Sequence, residues 1–86
     1  MTKINKKWFV YILRCEDNSL YTGITTDVNR RFNTHLSGKG AKYTRAKKPI
    51  KIETFFVFDT KSLALKEEIR IKKLPKLKKE LLCLKS

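Results

Sequence analysis

The chain has 86 residues, which suffices for one domain with a modest core but not for two. A 41% hydrophobic and 34% charged composition with few Gly and Pro excludes a disordered tail, and no run approaches the roughly 18 apolar residues of a membrane span. The net charge of +13 makes a polyanion the default partner, with nucleic acid ahead of a membrane surface.

Residues 1–7 read as a frayed basic start without the apolar region and cleavage site of a signal peptide, so a cytoplasmic location is expected. Residues 8–15, WFVYILRC, are almost continuously apolar and rich in β-branched and aromatic side chains, the pattern of a central strand covered on both faces. Glu16, Asp17, Asn18 and Ser19 supply turn chemistry, and residues 20–25 alternate as the second strand of a hairpin. Gly23 interrupts that strand. It suits a bulge, or a place where a ligand approaches the backbone closely. Cys15 and Cys83 form no CxxC and have no His at zinc spacing, so both are expected to be core thiols.

Thr26 or Asp27 can cap a helix running to about Ser37 and ending at Gly38. Val28, Phe32 and Leu36 would form its packed stripe, with Arg31 and His35 on a parallel row at the seam between core and solvent. Residues 38–49, GKGAKYTRAKKP, have no apolar period. Lys39, Lys42, Tyr43, Arg45, Lys47 and Lys48, with exposed glycine backbone, suit a phosphate track; a solvated basic loop is the plainer alternative.

Residues 50–58 read as a third strand, after which Asp59 or Thr60 can cap a helix over 61–73. On this helix Ala64, Leu65, Ile69 and Ile71 define an apolar arc, with Glu68 inside it and Glu67 just outside. A carboxylate there needs a cation, such as Arg31, or a metal. Pro75 opens a last helix, 75–85, whose Leu77, Leu81 and Leu84 are expected to pack on the domain. The order β-β-α-β-α-α makes an α+β domain: a three-stranded, mostly antiparallel sheet flanked by helices, with its core over about 8–73.

Val10-Tyr11-Ile12, then Tyr21-Thr22-Gly23, then Arg31 and His35 on the next helix, then Glu68 on the helix after the third strand, together resemble the GIY-YIG nuclease superfamily. The stretch GKGAKYTR is similar to the small stand-alone bacterial members. The resemblance implies a metal-dependent endonuclease hydrolysing DNA phosphodiester bonds, structure-specific in repair or recombination. Tyr11, Tyr21, Arg31, His35 and Glu68 would be its catalytic residues, and Gly23 matches the glycine closing the second motif. Glu68 would hold one Mg²⁺ or Mn²⁺ ion. The motifs depart mildly from the pattern, reading VYI and YTG; more seriously, no Asn follows Asn33, where many members carry one after the glutamate helix, and the match leaves no recognition domain, so a protein partner would supply specificity. The competing expectation is a basic nucleic-acid-binding module without catalysis.

The residue types fit that chemistry. Arg31 can clamp non-bridging phosphate oxygens with its planar fork, and one carboxylate with waters and substrate can hold a Mg²⁺ ion. Tyr11 is the first candidate for the base and His35 the second, with geometry to decide. Tyr11 and Tyr21 are ten positions apart. Because side chains alternate, a shared site requires an odd-length hairpin loop or a bulge.

Overall fold

The computed structural model describes residues 6–84; most of the basic start, and Lys85, lie outside them. Strands β1 (Trp8–Cys15) and β2 (Leu20–Thr25) form the hairpin, followed by helices α1 (Val28–Leu36) and α2 (Lys42–Ala46), strand β3 (Pro49–Phe58), and helices α3 (Lys61–Lys72) and α4 (Lys76–Leu84). The sheet order is β2-β1-β3 with both pairings antiparallel. The most apolar strand is therefore the central one: Val10, Ile12, Leu13 and Cys15 are fully buried. Val10 and Ile12 meet Ala64 and Ile71 of α3, with Leu82 and Cys83 of α4 packed alongside. Tyr11, on the alternate face, meets His35 of α1.

The last hairpin pair is Arg14 with Leu20, leaving five residues, 15–19, in the loop. This odd length aligns Tyr11 with Gly23 and Leu13 with Tyr21, so the two tyrosines share a face as diagonal neighbours. Asn18 adopts a positive φ of 69°, a conformation Asn tolerates better than most residues. Asp17 stabilises the turn by accepting a hydrogen bond from the Ser19 amide at 3.0 Å.

Helix ends follow local chemistry. Asp27 accepts from the Arg30 amide at 3.1 Å and Thr60 from the Leu63 amide at 3.2 Å, each a side-chain N-cap. Gly38, at φ +80°, closes α1 in a Schellman motif, its amide donating to the His35 carbonyl and the Lys39 amide to that of Thr34.

Three helix faces depart from the apolar patterns. On α1, His35 is the buried residue and Leu36 is exposed, because the imidazole finds polar partners on the sheet side. On α3 the buried face centres on Ala64 and Ile71 with Glu67 and Glu68 half-buried, while Leu65 and Ile69 face outwards. On α4, Leu77, Leu81 and Leu84 are exposed. That helix packs through Leu82 and Cys83 and is tied down by Glu80, which accepts two hydrogen bonds from the Arg14 guanidinium at 2.5 and 2.6 Å, while Arg14 also donates to Glu53 at 2.7 Å. Hydrophobic periodicity cannot anticipate the bidentate ion pair.

Candidate active site

The site is built around the Tyr11 hydroxyl. The Tyr11 ring lies across Gly23 on the neighbouring strand: a Cβ there would fall 2.5 Å from Oη and 2.7 Å from Cζ. The space that suggested a ligand's approach to Gly23 is filled by the protein's own phenol. Tyr11 Oη is hydrogen-bonded to His35 Nε2 at 2.9 Å, and both residues are 1% exposed. The other imidazole nitrogen, Nδ1, is 2.6 Å from the Thr44 hydroxyl. Gly40 packs against the ring, where a Cβ would come within 2.1 Å of Nδ1. Both nitrogens of the buried His35 ring are therefore paired, one with Tyr11 and the other with Thr44.

Residues 38–49 are therefore only partly a surface loop. They contain α2, whose one buried residue, Thr44, is directed at His35. The remaining side chains, Lys39, Lys42, Tyr43, Arg45, Lys47 and Lys48, are exposed. Tyr43 stacks on Tyr21 with ring centres 5.7 Å apart and planes at 29°. Tyr21 also packs edge-on to His35 at 5.2 Å and lies 6.3 Å from the Tyr11 ring, so it joins the buried pair to the basic surface. Lys47 is bridged to Asp17 at 2.7 Å, which offsets part of its charge.

Glu68 and Arg31 complete the arrangement. The Glu68 side chain is 16% exposed and pairs with Lys72 at 3.3 Å rather than with Arg31. Lys72 in turn sits over the Tyr21 ring, 5.9 Å from its centre. Burial pushes the Tyr11 phenol up to about 12, with Tyr21 and Glu68 adding to the rise while the Arg31 guanidinium beside the hydroxyl opposes it. Burial, reinforced by the charge of Arg31, holds the His35 imidazole down at about 4. At neutral pH the pair is thus an uncharged phenol and an uncharged imidazole. The fold gathers Tyr21, Arg31, His35 and Glu68 about Tyr11, while Lys39, Lys42, Arg45 and Lys48 lie on the surrounding surface.

Two residues escaped the sequence patterns: Thr44 and Gly40 carry no distinguishing signal within a basic stretch. Lys72, four residues after Glu68, falls in the same helical arc, and the structure pairs the two.

Among the described residues no three His, Cys, Asp or Glu side chains form a group able to hold a metal. A metal in this site would therefore take Glu68 as its one carboxylate and complete its shell from water and phosphate oxygens, an arrangement Mg²⁺ accepts.

The fold and these residues define a GIY-YIG catalytic domain: the model of that family matches residues 7–80, and the chain belongs to it. Its relatives are small proteins. The chain is 59% identical to a UPF0213 protein of Cupriavidus necator over 76 residues, covering 88% of this chain and 83% of that one. It is 49% identical to one from Haloquadratum walsbyi over 77 residues, covering 90% and 86%. Two solution NMR structures share the fold. A UPF0213 protein of Bacillus halodurans matches with a TM-score of 0.57 at 49% identity, covering 88% of this chain and 81% of that one. A protein of E. faecalis matches with 0.62 at 41% identity, covering 94% and 86%.

Proposed function

We propose that this protein is a metal-dependent endonuclease that hydrolyses DNA phosphodiester bonds, working in the cytoplasm on branched or distorted DNA in repair or recombination. The observation that carries the proposal is the buried Tyr11–His35 hydrogen bond at 2.9 Å with Tyr21 packed beside it, and the charges of Arg31 and Glu68 act on the same hydroxyl. Membership of a nuclease domain family supports it.

Glu68 is the residue that would hold one Mg²⁺ or Mn²⁺ ion. When bound, the ion supplies charge stabilisation for the leaving 3′ oxygen. Arg31 binds the non-bridging oxygens of the scissile phosphate and stabilises the extra charge of the phosphorane. Tyr11 positions the attacking water and accepts its proton, while the phenol's own proton passes to His35 Nε2. The products of this step are hydroxide and an imidazolium, with the phenol restored. An incoming phosphate raises the proton affinity of His35, which is uncharged at rest. Tyr21 holds the reacting groups in place from the side. Tyr43 offers an exposed ring to a base, and Lys39, Lys42, Arg45, Lys47 and Lys48 follow the backbone. A protein partner supplies sequence or junction specificity.

One observation favours a second reading, a nucleic-acid-binding module without catalysis: Lys72 already neutralises Glu68. A nicking assay on duplex, flap and four-way-junction DNA with Mg²⁺ or EDTA separates the two. For the enzyme, cleavage requires the metal and falls by at least about a hundredfold in Glu68→Gln and Arg31→Ala, while DNA binding persists. Metal-independent retention of DNA, with no cleavage of any substrate, refutes the enzyme and leaves the module.

A further inference from the structure

The direction of every hydrogen bond beneath the Tyr11 hydroxyl follows from one carbonyl. Thr44 Oγ1 lies 2.9 Å from the Ala41 carbonyl oxygen and 2.6 Å from His35 Nδ1. A carbonyl only accepts, so the single hydroxyl proton of Thr44 goes to Ala41. Towards the imidazole Thr44 can then only accept, which requires a proton on Nδ1. The neutral ring has just one such proton, so Nε2 is bare and accepts the proton of Tyr11 at 2.9 Å. The reverse orientation would set two lone-pair-bearing oxygens 2.9 Å apart without a hydrogen between them, a buried acceptor conflict costing about 1–3 kcal/mol.

We infer that Thr44 fixes the Nδ1–H tautomer of His35 and, through it, aims the Tyr11 proton at His35 so that the phenol's lone pairs are left for the reaction centre. Thr44 is a positioning residue, and its catalytic meaning rests on the nuclease reading above. The surroundings are arranged for this task. Gly40 admits the ring edge against backbone, where any larger residue would displace Nδ1 from Thr44. The short helix α2 places Thr44 three residues beyond Ala41, the reach of a side chain bonding back to an earlier carbonyl. That carbonyl also accepts from the Arg45 amide at 3.1 Å, which fixes its direction independently of Thr44.

The test is a long-range ¹H–¹⁵N correlation spectrum of the ¹⁵N-histidine-labelled full chain, whose single histidine is His35. Wild-type protein is expected to show a protonated Nδ1 and a bare Nε2 at neutral pH, and a protonated Nε2 overturns the proposal. Thr44→Ser keeps the hydroxyl and is expected to keep the tautomer. Thr44→Val keeps the shape, loses the acceptor, and is expected to move the population towards Nε2–H; an unchanged tautomer overturns the role of Thr44. If the valine variant does not fold, the wild-type and serine spectra still decide the hydrogen-bond direction. In cleavage assays Thr44→Val should lower kcat by about tenfold or more with KM unchanged, and Thr44→Ser should restore it. Equal kcat for the three proteins refutes positioning. Absence of cleavage in wild type, with the expected spectra, refutes the nuclease reading and leaves the tautomer assignment standing.

Discussion

Replacing Gly23 with alanine tests the geometry on which the site depends. The added methyl would lie 2.5 Å from Tyr11 Oη, 2.7 Å from Cζ and 3.1 Å from Cε1. Relaxed carbon contacts begin at about 3.5 Å, so the ring must retreat by roughly 0.8 Å. Tyr11 is 1% exposed, and its hydroxyl is held at 2.9 Å by a buried imidazole. A displacement of that size cannot keep the present 2.9 Å hydrogen-bond geometry to His35. Overpacking costs about 1–3 kcal/mol. The lost bond adds about 1 kcal/mol, and the stiffer backbone of alanine returns about 0.5–1 kcal/mol. The net expectation is a loss of about 2 kcal/mol, read in urea as a lower midpoint at unchanged slope. Gly38→Asn is the control: no atom lies within 4 Å of its added Cβ, and Asn tolerates the φ of +80°. A Gly23→Ala protein as stable as wild type, with an unchanged tyrosine near-ultraviolet signal, would refute the packing argument.

Other expectations follow from the same structure. Glu80→Gln should cost about 2 kcal/mol by loosening α4 from Arg14, since one member of a partly buried bidentate pair is lost. Arg14 holds the Glu80 carboxyl below its usual range, so the wild-type advantage over Glu80→Gln is present above the ordinary glutamate range and disappears as acid protonates the folded carboxylate. His35 titrates with the opposite charge change. Its folded value is held down at about 4, so its contribution is complete above about pH 6.5 and fades as the pH falls through 4. Wild type should therefore lose up to about 3 kcal/mol more than His35→Gln across that window in urea titrations, and parallel profiles would contradict the buried neutral imidazole. Tyr43→Leu should leave stability within about 1 kcal/mol yet weaken binding of a single-stranded flap by about 1–3 kcal/mol, measured by fluorescence anisotropy. Unchanged affinity would remove Tyr43 from the nucleic-acid path.

The electrostatics of the site assign its groups different duties. A phenol near 12 and an imidazole near 4 do not exchange a proton, so both remain uncharged at neutral pH. Lys72 pairs with Glu68 at 3.3 Å and so stabilises its half-buried carboxylate.

Much of this protein is determined by its sequence, because the deciding interactions are local. The apolar run at Trp8–Cys15 requires a central strand, Asp27 and Thr60 cap the helices that follow them, and Gly38 ends α1 where a left-handed residue is needed. The motif tyrosines, Arg31 and Glu68 could be singled out before any fold was known, since their order and spacing resemble one superfamily. Only tertiary structure decided what those residues meet. Whether Tyr11 and Tyr21 share a face turned on the five-residue loop, and whether Gly23 received a ligand or a phenol depended on the register that sets Tyr11 opposite it. His35 moved from a helix seam to the floor of the site because Tyr11 and Thr44, 24 and nine residues away, satisfy its two nitrogens. Arg14 and Glu80, 66 residues apart, dock α4 more firmly than its exposed leucines. A hydrophobic pattern reports which side chains avoid water. The burial of a polar one depends on its partner, and the partner is chosen by the fold.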